Sequence, residues 1–140
     1  MRILCLDIGE RRIGLAISDE TGTLARGLAT VERNGKECEH LARIIKENKP
    51  GKIVYGLPVR LDGSLSLQTE KTLAFIERLK AIIQLPFIAW DERLTTKEAE
   101  AILLQADLSR QKRKRLRDKL SAQIILQSYL EASQVRNPGE

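Results

Sequence analysis

The chain has 140 residues, a length that suits one domain able to bury a core without disulfides. Hydrophobic residues make up 42% and charged residues 31%, which excludes a disordered chain. No apolar run reaches the roughly 18 residues that span a bilayer, so no membrane partner is expected, and the net charge of +5 favours a polyanionic one.

In chain order, residues 2–7 form a short apolar run ending on Asp7 and bounded by Gly9, the pattern of a central strand rather than a signal peptide. A second run at 12–18 follows a short link, which predicts an antiparallel hairpin. A third strand is expected at 24–31, after the turn at Gly22. Residues 36–48 carry Leu41, Ile44 and Ile45 at helical spacing and stop before Pro50. Residues 52–57 read as a strand, closed by Gly56 and Pro58, and the pair Asp62-Gly63 marks a turn.

Residues 66–84 place Leu73, Ile76, Leu79 and Ile83 on one helical face, and 86–90 form a further short strand. Thr95 and Glu98 fit a capping box for a helix reaching about Ala106. A last helix is predicted over 112–132, ahead of a short tail. Strands alternating with helices after an opening hairpin predict a mixed sheet with helices on its faces, an α/β domain.

Three carboxylates stand out against this frame. Asp7 ends a buried strand and shares a face with Ile3 and Cys5. Glu92 lies just past the strand at 86–90, and Asp118 lies on the stripe of Ala122, Ile125 and Tyr129. Carboxylates on apolar surface are paired or bind metal. If the sheet brings these three to one edge, they offer oxygen ligands to a hard divalent cation, Mg²⁺ or Mn²⁺. The chemistry that follows is phosphodiester hydrolysis assisted by two ions roughly 4 Å apart. Taken singly, Asp7 also fits a strand-end turn, Glu92 a salt bridge to Arg93, and Asp118 a helix ion pair; Asp91 competes with Glu92 as a ligand.

No Cys/His cluster suits zinc, and the only histidine, His40, lies on a charged helical stretch away from the acids. Cys5 and Cys38 have no metal-ligand spacing and fit a reducing cytoplasm. Arg110, Lys112, Arg113, Lys114, Arg115, Arg117 and Lys119 surround Asp118 alone, so one ten-residue segment holds more than the whole chain's net charge. Cations crowding a helix start oppose the macrodipole, which favours a phosphate-binding role over a solvated helix end. Few aromatic residues (4%) argue for backbone and shape recognition over base stacking.

With these residues assembled, the chain resembles the YqgF family, also called RuvX, over nearly its whole length. The resemblance is carried by LDIGERRIGLAISD at 6–19, GLP at 56–58 with DGS at 62–64, DERLTT at 91–96, and Asp118 followed by SAQIILQSYL at 121–130. It departs from the family pattern at Val59-Arg60, where an Asn-bearing turn is frequent, and at Ser121-Ala122, where Ala-Ala is frequent.

The resemblance implies an RNase H-like fold with a five-stranded mixed sheet in the order 3-2-1-4-5. With no linker or boundary visible, the chain reads as one domain over 1–134 and a flexible tail at 135–140 that contains Asn-Pro-Gly. The resemblance places the acidic site on Asp7, Glu92 and Asp118, with Arg11, Arg12 and Arg93 contacting phosphate. The implied activity is maturation of the 5′ end of pre-16S rRNA in ribosome biogenesis. The alternative is a Holliday junction resolvase acting on branched DNA, which needs a homodimer for symmetric cuts, whereas an RNA nuclease can act as a monomer. Two other readings are weaker. An actin-like phosphotransferase needs two such lobes, and a non-catalytic RNA-binding module has no use for three retained acids.

Overall fold

Strand β1 (Ile3–Ile8) is the middle of the sheet because it is apolar on both faces, with Leu4, Cys5 and Leu6 fully buried. It pairs antiparallel with β2 (Arg12–Ser18), and β2 pairs antiparallel with β3 (Ala25–Glu32). On its other side β1 pairs in parallel with β4 (Lys52–Leu57), which pairs in parallel with β5 (Phe87–Asp91). The order β3-β2-β1-β4-β5 is the expected 3-2-1-4-5. A computed structural model describes residues 1–94 and 117–136, with side chains at 1–94 and 120–133.

Three helices complete the described fold: α1 (Glu37–Asn48), α2 (Leu67–Lys80) and α3 (Arg117–Arg136). Period-two alternation along the strands sorts the core into two layers. Leu4, Leu6, Ile13, Leu15, Ile17, Ile53 and Tyr55 face one way and meet Leu41 and Ile45 of α1 and Phe75, Ile76 and Leu79 of α2. Ile3, Cys5, Ala16 and Val54 face the other way and meet Ala122, Ile125, Leu126, Tyr129 and Leu130 of α3. Asp7 is in step with Ile3 and Cys5, so it belongs to the face that α3 covers.

Local chemistry explains the boundaries. At the start of α2, the Ser66 hydroxyl accepts from Thr69 N at 3.1 Å while Thr69 Oγ1 accepts from Ser66 N at 3.0 Å, a reciprocal cap. This helix ends at Lys80 rather than running on to Gln84. The chain tightens there, with both Ile82 N and Ile83 N donating to Leu79 O, and Ile83 is still delivered to the core. Phe75, not singled out by the spacing, is the largest fully buried side chain of α2. Helix α1 stops where Lys49 turns left-handed (φ 49°), directly before Pro50.

The last helix continues to Arg136, two residues beyond the span assigned to the domain. The proposed cap at Thr95 and Glu98 and the helix it starts lie outside the described residues. Polar bonds fix how α3 lies on the sheet. Gln127 Oε1 accepts from Ala25 N at 2.9 Å and its Nε2 donates to Thr23 O at 3.2 Å, while Gln123 Nε2 donates to Ala25 O at 3.2 Å. These contacts tie the helix to the first residues of β3 and set its position along the sheet.

Candidate active site

Because β1, β4 and β5 are parallel, their C-terminal ends share one edge, where α/β sheets place their sites. Asp7 is the next-to-last residue of β1. β5 ends on Asp91 and passes into a single 3-10 turn (Glu92–Leu94), which turns Glu92 back over the face covered by α3. Asp7 and Glu92 line one cleft of about 400 Å³ with Ser121, Ile124 and Ile125 of α3.

The cleft exists because side chains are missing. Gly14 sits directly across from Asp7 in the β1–β2 register. A Cβ on Gly56 of β4 would stand 2.7 Å from Glu92 Oε1 and 2.8 Å from Ile125 Cδ1. The Glu92 carboxylate therefore occupies the volume that a side chain at position 56 would take. Gly9 serves the neighbouring turn: a Cβ there would lie 2.8 Å from Arg12 O, to which its own N–H donates at 3.0 Å.

The two neighbouring acids at 91 and 92 divide cleanly. Asp91 takes Arg93, whose Nε lies 2.9 Å and Nη2 2.5 Å from Asp91 Oδ2, and this guanidinium holds the Asp91 carboxyl below its usual range. Glu92 is left to the cleft. Burial pushes its carboxyl up from 4.5 to about 7, and the charges of Asp7 and then Asp91 add to the rise. Burial, followed by the same Asp7 and Glu92 charges, also pushes the Cys5 thiol well up. Two hard oxygen donors in a half-dry cleft, with the Glu92 carboxyl raised by burial and by the Asp7 charge, suit a hard divalent cation.

Asp118 lies in the first turn of α3, three residues ahead of Ser121 and seven ahead of Ile125, hence on the helical face that carries both cleft residues. Its side chain, like those of Arg117 and Lys119, lies outside the described residues. Among the described residues no three Asp, Glu, His or Cys side chains gather closely enough to hold a metal ion. Arg110, Lys112, Arg113, Lys114 and Arg115 lie outside them altogether.

Arg11 and Arg12 are exposed at the tip of the β1–β2 hairpin, beside the cleft edge, and Arg12 Nε stands 4.0 Å from Glu32. Arg93 is less available than the motif suggests, since besides Asp91 it donates to Leu61 O at 3.2 Å. That bond ties the turn at Asp62 and Gly63 (φ 85°) to the end of β5. Asp19, the last acid of the first motif, is structural: it accepts from Thr23 N at 2.8 Å and from Thr21 Oγ1 at 2.7 Å, closing the β2–β3 turn. Trp90 packs edge-on against Tyr129, with ring centroids 5.7 Å apart, rather than presenting a face for stacking.

Sheet order, helix placement and acids at this edge define an RNase H-like fold. Thermus thermophilus RuvC has the same fold, with a TM-score of 0.62 at 15% identity over 95% of this chain and 97% of that one. The Fowlpox virus resolvase, solved with Holliday junction DNA, gives 0.54 at 17% identity over 95% and 99%. Sequence comparison narrows the class: residues 1–132 match the model of the family described as "RuvX: Holliday junction resolvase". The chain belongs to the RuvX family. A protein named "Putative pre-16S rRNA nuclease" from Thermoanaerobacter pseudethanolicus is 49% identical over 94% of this chain and 97% of its own length. One of the same name from Clostridioides difficile is 49% identical over 93% and 94%.

Proposed function

We propose that this protein is a divalent-metal-dependent endonuclease that hydrolyses phosphodiester bonds, acting on pre-16S rRNA at its 5′ end in ribosome biogenesis. The observation that carries the reading is the convergence of Asp7 and Glu92, the latter over Gly56, in one cleft at the C-terminal edge of the sheet, under α3. Asp118, one helical turn from Ser121, is the third ligand. A bound Mg²⁺ or Mn²⁺ pair would supply activation of water and charge neutralisation at the scissile phosphate.

The chain's own residues supply the rest. Asp7 holds its carboxylate rigidly at the end of a strand buried on both faces. Glu92 reaches the cleft over Gly56 from the end of β5, and its carboxyl, raised by burial, would hold the ion in its deprotonated form. Arg11 and Arg12 at the hairpin tip receive the phosphate backbone. Arg93 orders the turn through Asp91 and reaches phosphate only by leaving that pair. The basic run of Arg110, Lys112, Arg113, Lys114, Arg115 and Arg117 draws the polyanion to Asp118.

The names carried by the curated relatives support pre-16S rRNA as the substrate. The family description supports a second reading, cleavage of branched DNA junctions by a homodimer. A cytoplasmic setting fits the two free thiols, and among the described residues no helix is long and apolar enough to cross a membrane. Incubating the protein with Mg²⁺ or Mn²⁺ and either a pre-16S 5′-leader RNA or a four-way DNA junction separates the readings. RNA cleavage that Asp7→Asn and Glu92→Gln both abolish supports the first. Junction cleavage alone supports the second, and full activity in both variants overturns either.

A further inference from the structure

A further cleft among the described residues lies on the opposite face of the sheet, along α2 from Gln68 to Arg78 and against Arg33 and Glu37 at the start of α1, and measures about 590 Å³. Both helices begin at the edge that carries Asp7, because β3 and β4 run in the same sense as β1. Gln68 Nε2 reaches Ile8 O at 3.4 Å, which places the mouth of this cleft against the last residue of β1. Glu10, on the hairpin tip, also lines this cleft.

Three cations, Arg33, Lys71 and Arg78, and two acids, Glu10 and Glu37, line the walls. The Arg33 guanidinium lies 4.8 Å from the centroid of the buried Phe75 ring and the Arg78 guanidinium 5.7 Å from it. Arg33 is neutralised by Glu37 at 3.3 Å. Lys71 and Arg78 line the cleft, are exposed, and make no ion pair among the described residues. Lys80, on the same helix but outside the cleft, is paired with Glu77 at 3.4 Å. Of the three cations lining the cleft, Arg33 is thus paired, and Lys71 and Arg78 have no acid partner among the described residues. Seven residues separate Lys71 from Arg78, about 10 Å along one helical face. That spacing is too long for one phosphate group and suits two anionic groups carried on one strand.

We propose that this cleft is a track for the polynucleotide backbone flanking the scissile bond, with Lys71 and Arg78 as its phosphate contacts. The proposal rests on the nuclease reading, since the strand would cross the sheet edge from the Asp7 and Glu92 site past the hairpin tip. Glu10 would then repel the passing backbone, so its removal should tighten binding.

The test is a salt titration of binding, read by fluorescence anisotropy in metal-free buffer, with end-labelled single-stranded RNA and DNA of equal length. Lys71→Ala/Arg78→Ala should weaken binding several-fold at low salt and flatten the log–log salt dependence by about 1 per cation removed. Lys80→Ala should leave the slope unchanged, and Glu10→Gln should raise the affinity. Equal effects on RNA and DNA mark backbone recognition. An unchanged slope in the double variant, or an equal change in Lys80→Ala, overturns the track. So does protection by inorganic phosphate with no change of slope, which marks a pocket for a small anion. Failure of the nuclease reading shows differently, as wild-type protein that binds with the full slope but cuts nothing when Mg²⁺ or Mn²⁺ is added.

Discussion

Replacing Gly56 by alanine perturbs the site through one methyl group. The new Cβ would sit 2.7 Å from Glu92 Oε1 and 2.8 Å from Ile125 Cδ1, where ordinary contacts start at 3.4 Å, so both must retreat by about 0.6–0.7 Å. Both are ends of flexible side chains, and Gly56 lies in a regular strand, so the fold accommodates the change. Overpacking costs about 1–3 kcal/mol, and the stiffer unfolded chain returns about 0.4–1 kcal/mol, leaving a net loss of about 0–2.6 kcal/mol. Catalysis is less tolerant, since an error of about 1 Å in a reacting group costs on the order of 100-fold. We expect kcat to fall about 10- to 100-fold, with weaker Mn²⁺ affinity and a circular dichroism spectrum like that of the native protein. Single-turnover cleavage, Mn²⁺ titration and thermal melting on one preparation check this. Activity within twofold of wild type, or a loss matched by unfolding with Mn²⁺ affinity intact, refutes the argument that Gly56 makes room for Glu92.

Other consequences follow from the same geometry. In metal-free protein the Glu92 carboxyl is held at about 7 when folded and near 4.5 when unfolded, so the folded state binds the proton more tightly. Its contribution to stability is full below about 4.5 and is lost as pH rises through 7. Glu92→Gln should remove that loss and stabilise the metal-free protein at pH 8 by about 1–2 kcal/mol, after allowance for solvent screening; a urea titration showing no gain at pH 8 over pH 5 would contradict the burial argument. Mn²⁺ at pH 8 should raise the melting temperature of wild type and leave Asp7→Asn unmoved in calorimetry. Gln127→Ala strips a buried acceptor from Ala25 N and a donor from Thr23 O, so denaturant unfolding should show a loss of about 1–3 kcal/mol. Cys5 is fully buried with its thiol pushed up, so alkylation at pH 8 should label Cys38 first and Cys5 only on unfolding, as mass spectrometry can follow.

Much of the fold was legible in the chain because period-two and helical patterns are local signals. β2 and β4 fall at their predicted bounds, and the hairpin follows from the short link at Gly9. Ser66 and Pro50 mark helix ends for stereochemical reasons that need no tertiary context. Three acids out of place marked the site in the sequence; parallel pairing of β1, β4 and β5 meets the condition under which Asp7 and Glu92 share an edge, while the Asp118 side chain lies outside the described residues. What stayed hidden was tertiary. Gly56 reads as the close of a strand until Glu92 is seen in the space above it. The choice between Asp91 and Glu92 depends on a 3-10 turn that gives Arg93 to the first and leaves the second to the cleft. The pair Lys71 and Arg78 reads as an ordinary solvated face until Arg33 and Glu37 are found lining the same cleft.

Anomalous diffraction from crystals soaked in Mn²⁺ addresses the metal site most directly. The Mn²⁺ peak should lie within coordination distance of Asp7 and Glu92 oxygens, with an Asp118 oxygen completing the set, and should be lost in Asp7→Asn crystals. A peak held by other residues, or carboxylates at 7 and 92 that bind no ion while the protein still cuts RNA, would contradict it.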